Sequence, residues 1–126
     1  MIKVEHLTFS YSKQPFIQDM SFSVSEGEIF GFLGPSGAGK STLQKILLGM
    51  LPDYQGLAVV NGTECKKHSS DFYENIGVDF EFSTMYEKLS ARENLEFFSS
   101  LYRRRARSID ELLRMVGLEN DADKRV

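Results

Sequence analysis

Gly34, Gly39, Lys40 and Ser41 stand at the spacing G-x-x-x-x-G-K-[ST], within the run Gly34-Pro35-Ser36-Gly37-Ala38-Gly39-Lys40-Ser41-Thr42. Each residue type at its place suits one chemistry, the holding of a polyphosphate. Glycines let a short backbone turn tightly and aim several N–H groups at one anion. Lys40 sets an ammonium where the outer phosphates concentrate negative charge. The Ser41 hydroxyl is a hard oxygen ligand of the kind Mg²⁺ takes. A helix beginning here adds the partial positive charge of its N-terminus. The pattern predicts a loop that cradles the phosphates of a nucleoside triphosphate, expected as Mg·ATP, with Lys40 also the candidate catalytic cation. The plain alternative is a glycine-rich turn with a surface lysine.

The elements on either side of the loop favour the first reading. Ile29-Phe30-Gly31-Phe32-Leu33 is a short continuous apolar run, expected for a strand covered on both faces. After the loop, Leu43, Ile46, Leu47 and Met50 share one helix face, and Pro52 is the expected stop. Upstream, Ile2 and Val4, then Leu7, Phe9 and Tyr11, alternate with polar residues. Their parity slips near His6, which predicts two strand segments joined by a bulge. Met20, Phe22 and Val24 alternate with serines in a second half-buried strand. Leu57-Ala58-Val59-Val60 runs into Asn61-Gly62, a hairpin signal. Ser69 to Asn75 reads as a short helix and Ile76 to Phe82 as a further strand.

The last third is helical in pattern. Ser90 and Glu93 form a capping-box signature before Leu95, Phe98, Leu101 and Tyr102. Ser108 and Glu111 repeat it before Ile109, Leu112, Leu113 and Val116, with Gly117 as the terminator. The run Arg103-Arg104-Arg105-Ala106-Arg107 is expected near the end of the first of these helices, where cations suit the dipole. Contact with a membrane subunit or anionic headgroups is its other reading.

A chain of 126 residues with 41% hydrophobic content can bury a real core, which excludes a disordered chain. A net charge of −3 argues against a nucleic-acid binder, so no nucleic-acid partner is expected. One cysteine, Cys65, allows no internal disulfide and fits a reducing, cytoplasmic setting. The start Met1-Ile2-Lys3-Val4-Glu5 lacks a signal-peptide pattern. No apolar run approaches the ~20 residues of a spanning helix.

The string Gly-Pro-Ser-Gly-Ala-Gly-Lys-Ser-Thr resembles the phosphate loop of ATP-binding-cassette ATPases, the motor subunits of ABC transporters, and the resemblance extends over essentially the whole chain. It implies an α/β P-loop NTPase core of the ABC ATPase type, with an N-terminal antiparallel β region and the start of a helical subdomain. The expected partition is 1–88 for the core and 89–126 for that subdomain, from Leu89-Ser90-Ala91-Arg92-Glu93-Asn94-Leu95. By the same resemblance Tyr11 is the aromatic residue that stacks on adenine; an ordinary strand residue is the alternative. The family usually places a glutamine, near Mg²⁺ and the attacking water, where this chain has Glu81. Glu81 is thus a tentative metal ligand and catalytic residue, although a carboxylate adds negative charge beside the triphosphate. A register one or two residues off, or a solvated Glu81, is the other reading.

The family's signature, its Walker B Asp-Glu pair and its switch histidine are not visible. Ile76-Gly77-Val78-Asp79 is apolar and ends in Asp, but it is short and no Glu follows. His6 and His68 read as ordinary surface or strand residues. The chain is therefore expected to be the N-terminal portion of a longer ATPase, able to bind ATP and poor at hydrolysing it alone. The resemblance implies a transmembrane subunit and a second nucleotide-binding domain, paired head-to-tail, as partners. It also implies a peripheral place on the cytoplasmic face of the plasma (inner) membrane. An exporter-type subtype rests on analogy alone. Three alternatives stay open: a soluble ABC-type ATPase uncoupled from transport, a small P-loop kinase using Asp79 and the arginine cluster, and a module whose loop chemistry is idle.

Overall fold

The computed structural model describes residues 1–81, 84–104 and 107–125. The chain divides into two compact units, Met1–Ser69 and Ser70–Val126.

The first unit is built on a four-stranded antiparallel sheet in the order β2-β1-β3-β4. Strand β1 covers Ile2–Phe9, β2 Ile17–Val24, β3 Gln55–Val60 and β4 Thr63–Glu64. The expected bulge is present: the β1–β2 register shifts between Val4 and Leu7, where His6 takes a φ of 50°. That extra residue moves the inward set from Val4 to Leu7 and Phe9, all buried. Opposite it, Asp19 also has positive φ (46°), and its carboxylate meets His6 Nδ1 at 2.7 Å. Strands β3 and β4 turn through Asn61 and Gly62, both at positive φ, as a tight hairpin requires.

Helix α1, Lys40–Leu47, lays Leu43 and Ile46 into the core beside Ala58 and Val60 of β3. It is shorter than its apolar spacing predicts. Leu48 is the cap residue and Gly49 follows at φ 73°, so a left-handed turn ends the helix before Pro52, leaving Met50 outside it and exposed. Gly49 also has no room for a side chain, since a Cβ there would lie 2.7 Å from the Cys65 carbonyl oxygen.

Two predicted strands do not form. Residues 28–33 join no ladder. Phe30 stacks on Phe22 of β2 at 5.2 Å and Phe32 lies at 6.3 Å, while Ile29 and Leu33 are 100% and 93% exposed. The face of Ile29 and Leu33 is open, the face of Phe30 and Phe32 rests partly on Phe22, and no strand among the described residues pairs with the run. The stretch 76–81 likewise lacks strand structure for want of a ladder partner; Phe82, the last residue of that expected strand, lies outside the described residues.

The second unit holds α2 (Ser70–Tyr73), α3 (Ala91–Ser100) and α4 (Ile109–Met115). At α3 the capping box is complete: Ser90 Oγ accepts the Glu93 N–H and the Glu93 carboxylate accepts the Ser90 N–H at 2.7 Å. Ser108 caps α4 through the Glu111 N–H, and Gly117 follows α4 at φ 72°. Arg92 binds Asp110 at 2.7 Å and Asp123 at 3.1 Å, fastening α3 to α4 and to the last residues, and its pKa is raised by those two hydrogen bonds. Helix α3 ends at Ser100, so the arginine run does not lie in its last turn. Arg103 instead reaches back to Asp71 and Ser70, with its backbone N–H on Glu74, and Arg107 pairs with Glu111 one turn along α4. Arg105 and Ala106 lie outside the described residues.

Cys65, in a 3₁₀ turn over Cys65–Lys67, is buried, and burial is the main reason its thiol is pushed from 9.0 up to about 11. At pH 8 the folded chain should resist a thiol reagent such as dithionitrobenzoate and react fully in urea. A raised folded-state pKa means that the protonated thiol's contribution to stability is complete below about 9 and is lost as the pH climbs toward 11. Urea midpoints should therefore fall across that window, and less steeply in Cys65→Ala.

Candidate phosphate-binding site

The loop from Gly34 to Gly39 enters α1 through Gly39, whose φ of 93° no β-carbon residue adopts without strain. A Cβ there would also lie 3.4 Å from Ile17 Cγ1, so the loop is drawn tight against β2. The Ala38 N–H closes a turn onto the Pro35 carbonyl at 3.1 Å, and the Leu43 N–H bonds the Gly39 carbonyl at 2.8 Å. No acidic residue occupies the first turn of α1, leaving the positive end of its dipole uncompensated by side chains there.

Lys40 Nζ donates to the Gly34 carbonyl at 2.7 Å and to the Pro35 carbonyl at 2.8 Å. The ammonium thus lies over the loop's own opening, held by two weakly negative oxygens that a phosphate, with full charge, can outcompete. Gly34, Pro35, Ser36, Gly37, Ala38 and Ser41 are exposed, and Thr42 is buried. Ser41 presents its hydroxyl from the first turn of α1.

Tyr11 joins this group from the connection between β1 and β2. Its hydroxyl and that of Thr42 hydrogen-bond at 3.0 Å, and its ring meets Phe9 edge-on at 4.8 Å. The ring remains 59% exposed, which leaves a flat aromatic surface beside the loop. The structure therefore brings together Tyr11 and the residues from Gly34 to Thr42, all in the first unit. Glu81 belongs to the second unit, where it is exposed and outside any strand. Among the described residues no group of three or more His, Cys, Asp or Glu side chains gathers at a metal-holding distance.

Two residues outside the motif are held by contacts that its spacing does not announce, one in each unit. Asn94 is 2% exposed, accepts the Tyr86 N–H and donates to the Tyr86 and Ser90 carbonyls, tying down the segment before α3. Phe16 sets its ring edge-on to Tyr11 at 5.5 Å. A capping box gave some notice of the first; nothing local pointed to the second.

A glycine-rich loop at the head of a helix, backed by an antiparallel sheet that carries an aromatic beside it, defines a P-loop nucleotide-binding α/β fold. The sequence profile of the ABC transporter family matches residues 17–126, and the chain belongs to that family. It is 50% identical over 124 residues to a fluoroquinolones export ATP-binding protein of Mycobacterium tuberculosis (strain ATCC 25618 / H37Rv), covering 97% of this chain and 41% of that one. It is 39% identical to a Nod factor export ATP-binding protein I of Rhizobium meliloti (strain 1021), covering 99% and 38%. A solved ATP binding subunit of an ABC transporter superposes with a TM-score of 0.80 at 26% identity, covering 98% of this chain and 53% of that one. The chain thus spans about two-fifths of the length of these curated relatives.

Replacing Lys40 with Ala should weaken Mg·ATP binding about 10- to 100-fold, the range for losing one charge-assisted contact. Isothermal titration calorimetry reads this directly, and an unchanged dissociation constant would remove Lys40 from the site.

Proposed function

We propose that this chain supplies the ATP-binding portion of a motor subunit that powers an ABC exporter. The convergence of Lys40, Ser41, Thr42 and Tyr11 at the head of α1 carries the proposal. An ammonium, a helix N-terminus and a hydroxyl match a Mg²⁺-bound triphosphate, and an exposed aromatic at the right side of the loop matches a base. The similar relatives are export ATP-binding proteins, which supports the exporter reading. No described helix is long and apolar enough to cross a membrane. A separate transmembrane subunit then does the spanning, and this chain works on its cytoplasmic face.

In the full-length protein, ATP hydrolysis draws on groups that the family carries elsewhere, and two nucleotide-binding domains close head-to-tail over ATP. Lys40 would stabilise charge on the transferred phosphoryl group, Ser41 would hold Mg²⁺, and Glu81 would add a second oxygen donor to it. The second unit offers a surface to the membrane partner. Tyr73, Val78, Met85, Phe98, Leu101 and Tyr102 line an open depression of about 570 Å³.

The full-length protein should co-isolate with a polytopic membrane protein and drive ATP-dependent export from inverted vesicles. ATP turnover with no such partner and no transport would favour a soluble ABC ATPase instead. In the assembled transporter, Glu81→Gln should shift the Mg²⁺ concentration for half-maximal turnover on the order of threefold to tenfold, the size of a partly screened carboxylate–metal contact. Identical metal dependence and nucleotide affinity in the variant would exclude Glu81 from the site.

A further inference from the structure

Phe16 stands between the two ends of the candidate nucleotide site. Its backbone N–H bonds the Phe9 carbonyl at 2.8 Å, which closes the connection carrying Tyr11 and fixes where the Phe16 ring can lie. On one side that ring meets Tyr11 at 5.5 Å with an interplanar angle of 64°. On the other, its Cε1 is only 3.6 Å from the point where Gly39, the last residue of the phosphate loop, would carry a Cβ. It nevertheless remains 44% exposed, so the ring faces the open space beside the loop.

Tyr11 is consequently held at three points: edge-on by Phe9, edge-on by Phe16, and through its hydroxyl on Thr42 in the first turn of α1. Edge-to-face contacts favour one ring orientation over free rotation. The hydroxyl contact ties that orientation to the helix that follows the phosphate loop. A base stacked on Tyr11 and a phosphate seated on α1 are therefore referred to one rigid frame.

We propose that Phe16 is a positioning and specificity-determining residue for the purine nucleotide: it sets the plane of Tyr11 and walls the space between base and phosphates. This rests on the reading of the loop and Tyr11 as an ATP site. Aromatic contacts of this kind are worth about 0.5–1.5 kcal/mol, roughly two- to tenfold in affinity.

The test compares Mg·ATP with Mg·tripolyphosphate, which has the phosphates and lacks base and ribose, by calorimetry on the full chain. Phe16→Ala should weaken Mg·ATP about three- to tenfold and leave Mg·tripolyphosphate unchanged, so the ratio of the two affinities falls. Phe16→Tyr should restore the ratio, and Phe16→Leu, apolar but without a ring, should not. Equal losses for both ligands in Phe16→Ala would reduce the residue to a support of the fold, and an unchanged ratio with full binding would also overturn the inference. Wild-type chain that binds tripolyphosphate no more weakly than ATP would overturn the base site while sparing the phosphate loop. Binding of neither would overturn both.

Discussion

Lys40 is solvated by its own loop. Two carbonyls, of Gly34 and Pro35, sit within 2.8 Å of its ammonium, and neither carries a net charge. Such an arrangement holds a cation in place without neutralising it, so the positive potential remains available to an anion. Curling the backbone back over the side chain that follows it requires the left-handed turn at Gly39, which the lack of a β-carbon permits, and the loop packs there beside Ile17 of β2. The sheet, the aromatic connection and the first turn of α1 are all referred to this arc.

The second unit is held by different means. Its helices are short, and helices of seven or ten residues are marginal without tertiary support. Among the described residues its buried apolar side chains are Leu113 and Ala122. Polar fasteners supply the rest: the Ser90–Glu93 box, the Asn94 bonds to the preceding segment, and Arg92 between two aspartates. The exposed guanidinium pairs contribute little stability each. Their geometry sets which ends of α3 and α4 meet. Apolar side chains such as Met85, Phe97 and Leu101 stay exposed on this unit.

Local chemistry was readable wherever a residue's role depends on neighbours in sequence. The phosphate-loop spacing, the caps at Ser90 and Ser108, the Asn61-Gly62 hairpin and the bulge at His6 all follow from rules that span only short windows of the chain. Expectations failed where they needed partners from afar. Residues 29–33 and 76–81 have apolar runs suited to strands, yet a strand exists only through its ladder. The arginine run was placed in α3 because its charge suits a helix end, whereas Arg103 follows the carboxylates of Asp71 and Glu74.

By itself the sequence determined that glycines, a lysine and a serine would stand together at the head of a helix, because those demands are local and stereochemical. It also determined, through alternation and caps, a β region ahead of a helical one. Tertiary structure decided how the Tyr11 ring is oriented beside the loop and that Phe16 lies against it. It also decided that α1 stops at a glycine seated against the Cys65 carbonyl, and that one face of 29–33 stays open. Those outcomes depend on packing between segments tens of residues apart, where the free energy comes from contacts that no short window of sequence contains.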